Sequence, residues 1–228
     1  MLETPPLLTI KKPSRRPSDD EIAFFRTCPT SVVADAQMNA GVMATGISPL
    51  QGEVRVAGPA LTVGCGPSDV LALLAAQGVV AEGEVVLSSV DGHQGAAALG
   101  DLVAGRLKNA GAAGCVTDGP VRDAAGVMET GLPVWCTGRT PASPFNSGPG
   151  TVGLPVTIGG VQVETGDMII ADGDGVVAIA FAEIAKTMER AQQILALEEK
   201  SEAAVAAGET VPDQTRALLE SDQVRWVD

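Results

Sequence analysis

Short apolar runs alternate along this chain with polar, glycine-punctuated breaks, and their period assigns most elements. Glu84-Val85-Val86-Leu87-Ser88-Ser89-Val90 is nearly continuous in apolar and β-favouring residues, which predicts a strand buried on both faces, as in a parallel sheet. The run from Val54 to Gly64 breaks at Gly58-Pro59 and predicts two strands joined at a corner. Between these runs, Ser68 to about Gln77 reads as a helix capped by Ser68, with Gly78 just beyond. From Gly95 to Asp123 the pattern is one β-α-β passage. Asp101 is a good N-cap, Val103, Leu107 and Ala110 recur at helical spacing while Arg106 and Lys108 face out, and Gly111 stops the helix. The strand Gly114-Cys115-Val116-Thr117 and the turn Asp118-Gly119-Pro120 then deliver Val121-Arg122-Asp123.

The flanks are simpler. Residues 1–17 carry four prolines and the basic cluster Lys11, Lys12, Arg15 and Arg16, and predict an extended arm that packs on a neighbour or stays loose. Ser18-Asp19-Asp20-Glu21 caps a short helix through Phe25, and Thr30-Ser31 caps another that Gly41 closes. After Asp123 comes a short strand, Pro133–Cys136, and then a Gly/Pro/Ser-rich loop from Thr137 to Leu154, long enough to be functional or to lie at an interface. Pro155–Ile158, Val161–Glu164, Met168–Ala171 and Val176–Ala180 read as strands of hairpins. Phe181 to Ala207 is an amphipathic helix about 40 Å long, with Glu198, Glu199 and Glu202 near its end. The expected organisation is an arm (1–17), one domain (18–208) and a tail (209–228) that includes a helical piece, Asp213–Glu220.

Composition narrows the function. With 228 residues, 45% hydrophobic and 19% charged, the chain can bury a full core as one α/β domain. Aromatic content of 3% with no Tyr leaves few stacking platforms, and a net charge of −13 opposes nucleic acid and anionic membranes. Cys28, Cys65, Cys115 and Cys136 have no Cys-x-x-Cys spacing and read as buried thiols of a reducing compartment. The opening residues lack a basic region followed by an apolar core, and no apolar run is long enough to span a bilayer. A cytoplasmic protein is expected.

An acidic chain that handles anions needs a local positive site. The amides of Leu102 and Val103, in the first turn after Gly100-Asp101, have no intrahelical acceptor and make a socket for a carboxylate or phosphate. Arg122 offers a planar five-donor fork and Asp123 a hard oxygen ligand, beyond the end of a parallel strand where ligands of open α/β sheets gather. Together they suit a small keto-acid chelated to Mg²⁺. A glycine-rich helix turn beside a surface Arg-Asp pair is the other reading of the same residues. His93, the only histidine, is a general base or a loop residue.

Gly100-Asp101-Leu102, Gly111-x-x-Gly114 and Thr117-Asp118-Gly119-Pro120-Val121-Arg122-Asp123 together resemble the signature of the class II pyruvate aldolases related to 4-hydroxy-4-methyl-2-oxoglutarate aldolase, a family that includes the regulator of ribonuclease E activity. The likeness extends to Gly166-Asp167 and Asp172-Gly173-Asp174-Gly175-Val176-Val177 and covers roughly residues 30 to 208. It implies a three-layer β/β/α swivelling-type fold with mixed sheets, assembled as a ring-shaped homotrimer or a hexamer, with active sites between subunits. By the same resemblance Asp123 is the Mg²⁺ or Mn²⁺ ligand, Arg122 faces the keto oxygen of a small 2-oxo acid substrate, and the amides of Leu102 and Val103 cradle its carboxylate, with Gly100 and Asp101 beside them. A glutamate of the C-terminal helix, Glu199 or Glu198, is implied to reach a neighbour's metal waters. Where family members often have Asp-Asn, this chain has Ser68-Asp69. The activity implied is retro-aldol release of pyruvate, with oxaloacetate decarboxylation through the same enolate. Some family members instead bind an RNA-processing enzyme. A methyltransferase reading finds no Gly-x-Gly-x-x-Gly between a strand and a helix.

Overall fold

The computed structural model describes residues 6–227. Its strands and helices are β1 (Leu8–Ile10), α1 (Asp19–Thr27), α2 (Thr30–Ala36), β2 (Ser48–Pro49), β3 (Val56–Gly64), α3 (Leu71–Ala76), β4 (Val85–Ser89), α4 (Asp101–Asn109), β5 (Gly114–Thr117), α5 (Ala124–Glu129), β6 (Val134–Cys136), β7 (Gly150–Val152), β8 (Val156–Ile158), β9 (Val161–Val163), β10 (Met168–Asp172), β11 (Gly175–Ile179), α6 (Ile184–Ala206) and α7 (Asp213–Leu219). The described residues up to Ala191 form one compact unit and those from Gln192 onward another. Among the described residues no helix is long and apolar enough to cross a membrane.

The fold is α/β, with three layers. The main sheet runs β1-β7-β3-β4-β5-β6-β2, and β3, β4, β5 and β6 are mutually parallel. Side chains alternate across β4: Val86 faces a core shared with α3 and α4 through Leu73, Ala104 and Leu107, while Val85 and Leu87 face a second core with Ile158, Val163, Ile169 and Val176. Helices therefore cover one face of the sheet and a second β layer, β8 to β11, covers the other. All five residues of β4 are buried, as its uninterrupted apolar sequence predicts. Each large side chain buried this way stabilises by about 1.5–3 kcal/mol.

Several elements depart from expectation for identifiable reasons. The run broken at Gly58-Pro59 is one continuous strand that changes partner there: Val56 to Pro59 pair antiparallel with β10, and Ala60 to Gly64 pair parallel with β4. A Cβ at Gly58 would run into the carbonyl oxygen of Gly83, so the crossing point requires glycine. Ser68 does not cap α3; it lies at φ 62° with its Oγ 2.7 Å from His93 Nε2, and Asp69 accepts from the Leu71 amide instead. Thr30 opens α2 by sending its amide and Oγ1 to the buried Asp172 at 2.9 and 2.6 Å rather than capping locally. Two of the three turns in the later β region make hairpins, β8-β9 and β10-β11, whereas β10 leaves β9 and pairs with β3. The N-terminal arm packs on its own unit, with β1 parallel to β7 and Arg15 2.9 Å from both Glu164 and Asp167. Ser18 and Glu21 form the expected capping box on α1.

Candidate active site

The parallel strands end where their following loops can meet, and the site forms there. Beyond β5, Val121 bridges Leu99 on one side and Arg139 on the other, and the Arg122 amide donates to the Leu99 carbonyl at 3.0 Å. This short ladder ties the start of α4 to the Arg122-Asp123 corner. The corner is held from below by Asp118, 8% exposed, whose carboxylate accepts from the Val90 amide (2.7 Å), Ser89 Oγ (3.0 Å) and the Gly92 amide (3.0 Å).

Gly100, not Asp101, is the N-cap of α4. Asp101 is the first helical residue, and its Oδ1 accepts from the Leu102 amide at 2.7 Å. The buried side chains of α4 are Ala104 and Leu107, while Val103 and Ala110 are half-buried. Gly111 ends the helix at φ 97°. A Cβ at Gly100 would lie 3.1 Å from Arg122 Nε, 3.3 Å from Arg122 Cγ and 3.3 Å from Asp123 Oδ2. The absence of a side chain at Gly100 is what lets the Arg122 and Asp123 side chains lie against the helix start. On the far side, a Cβ at Gly126 of α5 would lie 2.9 Å from Asp101 Cβ, so Asp101 is wedged between the two helices.

Asp123 occupies the left-handed region, φ 52° and ψ 40°, a conformation that costs a non-glycine residue about 1 kcal/mol or more. Its carboxylate is 3.3 Å from Arg122 Nε, with the two side chains 51% and 39% exposed. An ion pair this exposed contributes about 0–1 kcal/mol, so stability alone does not account for a strained residue carrying it. Arg122 Nη1 donates to Ser143 Oγ at 2.7 Å.

Five of the site residues named from sequence come together in one cleft of about 360 Å³. Gly100, Asp101, Leu102, Val103 and Arg122 line it, joined by Arg106 and by Ser143 to Asn146 from the long loop. Asp123 borders it through Gly100 and Arg122 and lines an adjoining depression with Arg139. Glu198, half-buried, and Glu199, exposed, lie on the part of α6 that belongs to the second unit. Sequence reasoning did not single out Ser143 or Phe145, and it marked Asp69 only as a departure from the family's Asp-Asn pair. Asp69 accepts from the amides of Ser147 (2.6 Å) and Gly148 (3.0 Å) and so fixes the loop that carries Ser143 and Phe145. Burial works to raise the Asp69 carboxyl, but the amides of Leu71, Ser147 and Gly148 outweigh it, and the group lies below the usual carboxylate range. His93 bonds to Ser68, and neither lines the cleft. A depression of about 460 Å³ lies elsewhere, against Asp172, whose carboxylate is engaged by Thr30 and the Asp174 amide.

Mg²⁺ in proteins uses one or two carboxylates and keeps several waters and substrate oxygens. Asp123, half exposed and paired with Arg122, is a donor of that kind. Among the described residues no group of three or more His, Cys, Asp or Glu could hold a metal ion, so what this chain offers fits a water-rich site and not an all-protein cage.

The profile of one protein family, RraA-like (Aldolase/RraA), matches residues 30–178. A Halalkalibacterium halodurans protein, provisionally named a 4-hydroxy-4-methyl-2-oxoglutarate aldolase, is 34% identical over 187 residues, covering 82% of this chain and 89% of that protein. Among solved structures, Streptomyces coelicolor RraAS2, described as an unusual member of the RNase ES inhibitor RraA family, is 30% identical with a TM-score of 0.75, over 83% of this chain and 99% of that one. An uncharacterised Pseudomonas syringae protein is 25% identical with a TM-score of 0.76, over 86% of this chain and 96% of that one.

Proposed function

Because the chain belongs to the RraA-like aldolase family, we propose that it is a divalent-metal-dependent lyase that cleaves 4-hydroxy- or 4-carboxy-2-oxo acids to pyruvate, and that it decarboxylates oxaloacetate as a side activity. One observation carries this reading: Arg122, Asp123 and the first turn of α4 converge on Gly100 at the edge of one cleft. Asp123 would hold Mg²⁺ or Mn²⁺, which supplies Lewis-acid polarisation of the substrate's carboxylate and keto oxygens. Val103 and Leu102 present their amides to the C1 carboxylate, the latter once Asp101 gives it up. Arg122 donates to the keto oxygen, where negative charge grows as the bond between C3 and C4 breaks. A water held by Asp101 takes the 4-hydroxyl proton; C4 departs as a carbonyl, and C3 of the enolate takes up a proton to give pyruvate. With oxaloacetate the same bond breaks, CO₂ departs, and the same enolate remains.

The ring assembly, homotrimer or hexamer, belongs to this proposal, as does a role for Glu198 or Glu199 at the site of a neighbouring subunit, where a second carboxylate would orient metal-bound water. The similarity to RraAS2 supports an alternative, a non-catalytic ring that regulates an RNA-processing enzyme. Pyruvate release from 4-hydroxy-4-methyl-2-oxoglutarate and from oxaloacetate, with and without EDTA, separates the two. The enzyme reading expects turnover that EDTA abolishes, Mg²⁺ restores and Asp123→Asn removes without loss of fold. Absent turnover at saturating Mg²⁺ would leave the regulator.

A further inference from the structure

We propose that Arg106 recognises a second carboxylate on the substrate and thereby sets a preference for 2-oxo diacids over 2-oxo monoacids; this rests on the reading of the cleft as a 2-oxo acid site. Two arginines, Arg106 and Arg122, line the cleft. Arg122 is engaged by Ser143 and Asp123, whereas the Arg106 side chain has no hydrogen bond or ion pair among the described residues. Asp101 and Glu129 line the depression on its other side, yet neither carboxylate pairs with it. Arg106 is thus an exposed cation at a cleft wall with its donors unspent.

Its place on the helix matches the length of a diacid. Arg106 follows Leu102 by four residues on α4, so the two share a face about 6 Å apart along the axis. Helical side chains lean toward the N-terminus, which directs the Arg106 fork back over the turn that carries the Leu102 and Val103 amides. A five-carbon diacid with its C1 carboxylate on those amides places its second carboxylate about 5 Å away, within reach of that fork. Leu102 and Phe145, 67% and 70% exposed, flank the same cleft and suit the carbon chain between the two charges. The overall charge makes the preference diagnostic: a protein of net charge −13 disfavours a dianion over a monoanion unless a local cation reverses the order.

The test compares 2-oxoglutarate with 2-oxopentanoate, which share a five-carbon chain and differ in the distal carboxylate, by calorimetric titration of the full chain in Mg²⁺. The native protein should bind 2-oxoglutarate at least about tenfold more tightly, in the range of one charge-assisted bidentate contact. Arg106→Gln should abolish the preference while leaving 2-oxopentanoate affinity within about twofold. Lys108→Gln, the same charge change on the same helix but away from the cleft lining, should keep the preference. Equal affinities in the native protein, a preference that survives Arg106→Gln, or one lost equally in Lys108→Gln would overturn the proposal. Retained diacid selectivity without pyruvate release would overturn the lyase reading alone, and failure of both acids to bind would overturn both.

Discussion

Replacing Gly100 by alanine is the smallest change that reaches Arg122 and Asp123 at once. The backbone there, φ −134° and ψ 175°, is extended and suits alanine, so no conformational strain is added. The new Cβ would stand 3.1 Å from Arg122 Nε and 3.3 Å from Asp123 Oδ2, against an optimal carbon contact of about 3.5–4.0 Å. Relief therefore needs a shift of about 0.3–0.5 Å in side chains that are free to move outward. The stability cost is that of a poorer N-cap, about 0.5–1 kcal/mol, or about 1–4 °C in Tm for a chain of this size. The catalytic cost adds to this, because a misplacement of about 1 Å can lower a rate about 10²-fold; for a shift of about 0.3–0.5 Å, kcat should fall about 4- to 10-fold. Gly105→Ala on the same helix is the control. Its Cβ meets Thr130 Cγ2 at 3.7 Å, an ordinary contact, so the change should add about 0.5–1 kcal/mol of stability and leave kcat alone. Pyruvate release under single-turnover conditions, with Tm by circular dichroism, reads both quantities. A folded Gly100→Ala protein with native kcat would refute the argument that this close approach positions the site.

What the sequence displays locally was legible, and what depends on distant partners was not. The buried strand Val85–Ser89 carries its answer in five residues, because a strand covered on both faces needs no alternation. Helix α4 was legible but displaced by one residue: Asp101 bonds to the amide of its immediate neighbour and Gly100 takes the cap, while packing buries Ala104 and Leu107. Helix α5 was missed because its six residues include Gly126 and bury only Val127, too little periodicity to register. Ser68 was misread as a cap because its hydroxyl is claimed by His93, 25 residues away. Ser143 and the loop-fixing role of Asp69 escaped notice for the same reason, since their partners lie 21 and 78 residues off in the chain. The Arg122-Asp123 corner and the α4 turn were readable because a short motif carries them. The wall that faces them comes from a loop whose position is set by Asp69.

Arg122→Lys should lower kcat about 10²–10³-fold with little change in KM, since a point charge replaces a fork whose donation strengthens as the enolate forms; a pure KM effect in steady-state kinetics would mean that Arg122 serves ground-state binding only. Asp69→Ala, which strands the amides of Leu71, Ser147 and Gly148, should cost about 1–3 kcal/mol by urea titration at pH 7. Because the folded Asp69 carboxyl is depressed, its contribution is full above the unfolded value of about 3.9 and is lost as pH falls through the lower folded value, so native and variant midpoints should converge in strong acid; a difference that persists undiminished there would assign the effect to packing. The last expectation concerns Glu198 and Glu199. Helix α6, at 23 residues, is about 35 Å long, and no basic side chain pairs with either carboxylate among the described residues. In a head-to-tail ring every cleft would receive the same acidic segment from its neighbour. Subunits carrying Asp123→Ala, mixed with subunits carrying Glu198→Gln and Glu199→Gln after exchange is confirmed by mass, should regain activity above either parent. Half of the mixed interfaces rebuild one site with its native Asp123 and native glutamates. Mixed rings that form yet stay as inactive as their parents would return both glutamates to the role of a solvated helix face.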